Sequence, residues 1–155
     1  MAILILSGGS ATASAYAGYA AARLPGARAI GVRDLPTRAL LCADRDAIAD
    51  LVPGSADAVV VVAAVRRAST SGLLKALVEL LDVDVPALPV AVGAFPAHAR
   101  VLDHALLPAL GPHVLPTVFL PDHHADLTPL DAALDRLAGG KTRGSAWIAA
   151  ASVAG

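Results

Sequence analysis

Three short stretches of the chain carry residue types that could hold a ligand. The first, Ser7-Gly8-Gly9-Ser10-Ala11-Thr12-Ala13-Ser14, lies between an apolar run and an alanine-rich run. Backbone N–H groups and the positive dipole end at such a strand-to-helix turn attract phosphate, and small side chains let it come close. Gly8, Gly9, Ser10, Thr12 and Ser14 are its candidate binding residues. Neither a G-x-G-x-x-G spacing nor a G-x-x-x-x-G-K-S/T loop is present, and a plain tight turn is the alternative. The second stretch runs Val65-Arg66-Arg67-Ala68-Ser69-Thr70-Ser71-Gly72. Two adjacent arginines between an apolar strand and an apolar helix are not demanded by packing, so Arg66 or Arg67 could hold a phosphate; a solvated loop is the alternative. The third, Gly93-Ala94-Phe95-Pro96-Ala97-His98, brings a ring to a loop in a chain with one Trp, two Tyr and two Phe. Phe95 is a candidate for stacking, or else a core anchor.

Other constellations are weaker. Asp122 with His123-His124-Ala125-Asp126 has donors for a metal, but adjacent histidines diverge and no i, i+4 pair is present, so a surface loop is expected. There is no G-x-S-x-G elbow, and nothing in the spacing of Ser71, His98 and Asp103 argues for a triad. His104, alone on an alanine-leucine helix, reads as an interface or core residue. The single cysteine, Cys42, can form neither an internal disulfide nor a thiolate zinc cage; it is expected to be a buried structural thiol in a reducing cytoplasm.

The elements that must position these loops alternate. Continuous apolar runs at Ala2–Leu6, Ala29–Val32, Ala58–Ala64, Leu88–Val92 and Val114–Leu120 lack polar alternation, as strands covered on both faces do. Pro116 makes the last an edge strand, or one that starts late. Helices are predicted at Ala13–Leu24, stopped by Pro25-Gly26, and at Asp44–Leu51. Others are predicted at Ser71–Leu81, at Ala97–Leu110 with Pro108 in its last turn, and at Leu127–Leu137. In the Ser71 helix, Leu73, Leu74, Leu77, Leu80 and Leu81 form one stripe, Ser71 is the N-cap and Glu79 points outward. This order is that of one doubly wound α/β domain, Rossmann-like or flavodoxin-like, whose ligands sit outside the carboxyl ends of its strands.

Composition narrows the partners. A chain of 155 residues with 56% hydrophobic and 16% charged residues can bury a core and is not disordered. A net charge of -1 gives no basic field for nucleic acid or anionic lipid. Residues 1–22 are uncharged, yet the run Ala2–Leu6 stops at Ser7-Gly8-Gly9-Ser10, far short of the ~20 residues a bilayer span needs. No membrane segment is expected. Residues 1–140 are read as the domain and 141–155 as a C-terminal tail.

From Ile3 to Leu137 the chain resembles the NAD(P)H-dependent FMN reductase family of flavodoxin-like fold, and most the branch serving alkanesulfonate and methanesulfonate monooxygenases. The resemblance rests on Ala56-Asp57 with the valine strand and Ser71-Gly72-Leu73-Leu74-Lys75. It continues in Ala91-Val92-Gly93 with Ala97-His98, Val101 to Leu106 and Pro108, then Val114-Leu115, Val118-Phe119 and Asp122. It implies a three-layer sandwich around a five-stranded parallel sheet of order 2-1-3-4-5. It also implies an FMN with its phosphate in the first loop and its ring between the second and third. Gly8, Ser14, Ser71, Gly72, Gly93 and His98 match family positions. His104 falls where relatives carry an inserted tyrosine or histidine, associated with a π-bulge and with flavin exchange between subunits. Three places depart. The family's Gly-Ser with an arginine two residues on reads Gly8, Gly9 and Ala11; its Thr-Pro-x-Tyr or -Glu segment reads Ala63-Ala64-Val65-Arg66; the second glycine of its Gly-Gly pair is Ala94.

Without that arginine a charge-assisted contact of ~1.5–3 kcal/mol is lost, so FMN is expected to bind weakly unless Arg66 or Arg67 supplies the charge. The implied activity moves hydride from NADPH or NADH to a dissociable FMN, which does the electronic work and needs no side-chain acid or base. Arg66, Ser71, Gly93 and Phe95 would border the ring, and no residue fixes the choice of nicotinamide. The implied partners are flavin and nicotinamide nucleotides, a flavin-dependent monooxygenase, and further copies of the chain in a homodimer or homotetramer. A flavin-free or weakly binding relative acting as a partner or regulatory subunit is the alternative, and an electron-carrier flavodoxin a poorer third.

Overall fold

A computed structural model describes residues 1–123 and 126–140. The tail expected at 141–155, and His124 and Ala125 of the histidine-rich loop, lie outside them. Five strands, β1 (Ile3–Gly8), β2 (Ala27–Gly31), β3 (Ala58–Ala64), β4 (Ala87–Gly93) and β5 (Val118–Pro121), form one parallel sheet in the order β2-β1-β3-β4-β5. The connecting helices are α1 (Ala11–Arg23), α2 (Thr37–Leu41), α3 (Arg45–Ala49), α4 (Gly72–Leu81), α5 (His98–Leu106) and α6 (Thr128–Gly139).

The uninterrupted apolar runs are explained by burial on both sides. Leu4, Leu6, Val59, Val61, Ala63 and Ala91 face one layer, with Leu40, Ile48, Leu74, Leu77, Leu102 and Leu106 of α2 to α5. The alternate residues Ile3, Ile5, Val60, Val62, Leu88 and Val90 face the other, with α1 and α6. Helix α1 turns Ala13, Ala17 and Ala20 inward, a stripe of small side chains that lets its backbone lie close to the sheet. The expected stripe of α4 is present, Ser71 Oγ accepts from Leu74 N at 3.3 Å, and Glu79 is exposed beside Lys75.

Prolines set the departures from the expected boundaries. Strand β5 is an edge strand and begins only at Val118; Val114 makes a single parallel bridge to Ala87. Ala87 donates to His113 O, and by the two-residue period Pro89 turns its missing N–H to the same side. The gap between the bridge and β5 falls there and holds Pro116, so neither proline breaks a ladder. Helix α5 ends at Leu106 and passes into a 3-10 turn, Leu107–Ala109, at Pro108. Helix α2 was not expected; its single turn is too short for periodicity to show. Cys42 corrects the reading of a buried thiol. It caps α2 on the outer side, exposed, because Ala39 and Leu40 take the inner face of that turn.

Candidate functional site

The carboxyl ends of β1, β3 and β4 bring the three loops to one edge of the sheet. Gly8 ends β1 and is buried; a Cβ there would lie 3.0 Å from Leu74 Cβ and 3.1 Å from Val32 Cγ1. Gly9 follows at φ +97°, a conformation open to glycine, and a Cβ on it would meet Ala64 Cβ at 2.9 Å. The first loop therefore rests on the end of β3, two residues before Arg66.

Ser10 is the N-cap of α1, its Oγ accepting from Ala13 N at 3.1 Å. Its hydroxyl proton remains to be donated, as do the first N–H groups of the helix, those of Ala11 and Thr12. Ser14 turns its hydroxyl back to Ser10 O at 3.3 Å, which leaves only its lone pairs. Thr12 is half-buried on the same turn.

In the second loop Arg66 and Ser69 exchange backbone hydrogen bonds of 2.8 and 2.9 Å. Between them Arg67 (φ +50°) and Ala68 (φ +57°) are both left-handed, the shape of a type I′ turn, with neither position a glycine. Both arginine side chains are exposed. Thr70 Oγ1, beneath this turn, is buried without a hydrogen-bond partner. Ser71 caps α4, and a Cβ on Gly72 would meet open space.

In the third loop Gly93 O accepts from Asp122 N at 3.1 Å, which ties the end of β4 to the residue after β5. Ala94 is exposed, and Phe95 is 65% exposed, so it is no core anchor. Its ring meets that of His98 edge-on, centroids 5.6 Å apart and planes at 75°. His98 opens α5 with Nδ1 buried against Gly93 and unpartnered.

One residue at this edge escaped the sequence reading. Tyr16, on the second turn of α1, donates to Pro121 O at 2.7 Å and joins α1 to the end of β5. Burial, and then the Asp122 carboxylate, push its phenol above the ordinary value, so it stays a donor at neutral pH. A tyrosine on an alanine-rich helix was the available signal.

His104 is set apart. It is exposed and lies six residues, about 9 Å, along α5 from His98, in a run of regular α-helix. The expected π-bulge is absent here; Pro108 produces a tighter 3-10 turn instead. Among the described residues no group of three or more His, Cys, Asp or Glu could hold a metal. Asp126 accepts instead from Thr128 N (2.9 Å) and Thr128 Oγ1 (2.6 Å). A groove of about 480 Å³, lined by Ile48, Val52, Val59, Leu80 and Val85, lies near the amino ends of β1 and β3, away from the three loops. Among the described residues, no helix is long and apolar enough to cross a membrane.

The backbone matches solved structures over most of its length. A crystal structure of an NADH:FMN oxidoreductase in its apo form covers 92% of this chain and 89% of its own, with TM-score 0.69 and 24% identity. A flavodoxin from the domain Archaea covers 88% of this chain and 93% of its own, at TM-score 0.53 and 12% identity. The fold is flavodoxin-like. At these identities the flavodoxin-like architecture is what the structures share. Sequence similarity is higher but local. An NADH-dependent FMN reductase, SfnF, of Pseudomonas fluorescens (strain Pf0-1) is 47% identical over 57 residues, 34% of this chain and 30% of that protein. An FMN reductase (NADPH) of Pseudomonas aeruginosa is 47% identical over 58 residues, 35% and 31% of the two lengths. The matched stretch thus spans about a third of these curated relatives, and within it this flavodoxin-like chain is similar to FMN reductases. No protein-family model matches the sequence.

Proposed function

We propose that the chain is an NAD(P)H-dependent FMN reductase that hands reduced flavin to a partner monooxygenase. The observation that carries this reading is the 47% identity to FMN reductases within a flavodoxin-like fold. The site fits the group. One buried polar atom of the second loop, Thr70 Oγ1, has no hydrogen-bond partner. A Cβ on Gly9 would lie 2.9 Å from Ala64 Cβ, so this turn takes glycine and holds the residue before Ser10 against the end of β3.

The N–H groups of Ala11 and Thr12 and the hydroxyl of Ser10 would hold the phosphate, with Arg66 or Arg67 adding positive charge from the next loop. Phe95, Gly93 and Gly72 would border the ring. Bound there, FMN supplies an isoalloxazine that accepts hydride from the nicotinamide. The chain's share is to orient two planar groups against each other and to exclude water, so no side-chain acid or base is needed.

The second reading, a flavin-free partner subunit, draws on Ala11, Ala64 and Ala94 at the three departures. Steady-state oxidation of NADH and of NADPH, each with and without FMN, separates the two. Turnover that requires added FMN supports the reductase. No turnover and no quenching of flavin fluorescence at millimolar FMN overturns it. A homodimer or homotetramer belongs to the same proposal, checked by light scattering.

A further inference from the structure

His98 carries a feature that flavodoxin-like topology does not require. Its Nδ1 is enclosed, makes no hydrogen bond, and lies against Gly93 so closely that a Cβ on that glycine would overlap it and come within 3.1 Å of the ring's Cγ. The Gly93 Cα hydrogen that stands where a Cβ would be therefore faces Nδ1, and no hydrogen-bond acceptor is in reach of it. A proton on Nδ1 would be a buried donor pressed against another hydrogen. A bare Nδ1 can instead take a weak C–H···N contact from the same Cα. Neutral imidazole has one N–H, so the proton belongs on Nε2, which is not enclosed in this way.

Position is fixed as firmly as tautomer. His98 N donates to Phe95 O at 2.9 Å, the Phe95 ring braces the imidazole edge-on, and Gly93 O is tied to Asp122 N. We propose that His98 is a preset hydrogen-bond donor, locked as its Nε2–H tautomer by contact with Gly93, which reads an acceptor atom on the planar heteroaromatic ring of the bound ligand. On the function proposed above, on which this part rests, that acceptor is a carbonyl oxygen or ring nitrogen of the isoalloxazine. His98 is then a positioning residue that selects flavin by its ring, independently of the phosphate.

The tautomer is tested without any ligand, by long-range ¹⁵N–¹H correlation of the imidazoles in the free protein, with His98→Gln assigning the His98 signals. A proton on Nε2 and none on Nδ1 is expected; a proton on Nδ1, or a mixture of tautomers, overturns the proposal. Recognition is tested by titrating His98→Gln and His98→Leu with FMN and with riboflavin, which lacks the phosphate. Gln places an amide donor near the position of Nε2 and should keep both affinities within about threefold, whereas Leu should weaken both by about tenfold, one hydrogen bond's worth. Unchanged affinity in the Leu variant, or a loss confined to FMN, overturns the donor role. Gly93→Ala, in which the imidazole must move, should reproduce the Leu result; wild-type affinities there overturn the lock. A wild-type protein that shows the Nε2–H tautomer yet binds no flavin overturns the proposed function and the flavin assignment, while the tautomer stands.

Discussion

At the residue scale, this site would meet an anion with backbone and hydroxyl donors and with cations borrowed from a neighbouring loop. Ala11 offers no charge, but Gly9 rests on Ala64, so the start of α1 and the Arg66-Arg67 pair are near neighbours across the edge of the sheet. The two arginines are exposed and free to swing toward a phosphate. Replacing both, Arg66→Ala with Arg67→Ala, should weaken FMN by one to two decades, the equivalent of ~1.5–3 kcal/mol, and leave riboflavin nearly untouched. Fluorescence titration of both flavins checks this; equal FMN affinity in the double variant excludes the arginines. The sequence disclosed the arginines because packing did not ask for charge there. It disclosed Ser71 as a cap, but not that Ser10 and Ser14 already make local bonds in the first turn of α1, because a hydroxyl's partner depends on backbone shape.

At the element scale, the turn after β3 holds strain and α6 holds a pH dependence. Arg67 and Ala68 occupy left-handed positions where a type I′ turn prefers glycine or asparagine. Ala68→Gly should relieve more strain than the entropy it adds to the unfolded chain, raising stability by about 0.5–1 kcal/mol in urea unfolding. A destabilised variant would mean that the turn is relaxed as it stands. Ahead of α6, Asp126 accepts from the hydroxyl and the N–H of Thr128, which hold its carboxyl below the usual carboxylate range. Its folded-state pKa is depressed, so its contribution is complete above the ordinary value and is lost as pH falls through the depressed one. The melting-temperature gap between wild type and Asp126→Asn should therefore be widest near neutrality and close in acid. A gap that does not change with pH removes the carboxylate from the account. Strand and helix positions were legible to within a few residues because apolar runs and leucine stripes mark them. Helix α2 was not, since five residues carry no period. Pro116 did signal an edge strand or a late start for β5, and the strand shows both.

At the scale of the whole molecule, binding and folding are linked. A ligand that seats only on the assembled edge of the sheet stabilises the native state, by ~2.7 kcal/mol at a hundred times its Kd. For a chain of this size, FMN at that ratio should raise Tm by about 5–10 °C. Thermal melts with FMN, riboflavin and inorganic phosphate check this, and a melt indifferent to all three argues against any flavin site here. What the sequence determined by itself was the architecture, because a parallel sheet buried on both faces needs unbroken apolar strands and amphipathic helices, and both patterns are local. The same reading found the three loops, since ligands gather at the carboxyl ends of such strands. Tertiary structure alone decided which atoms in those loops stay unpaired: Thr70 Oγ1 and His98 Nδ1 are buried without partners, Cys42 is left outside, and Tyr16 reaches Pro121. Side-chain type follows from the sequence, whereas desolvation and partnership follow from what the folded chain packs against each group.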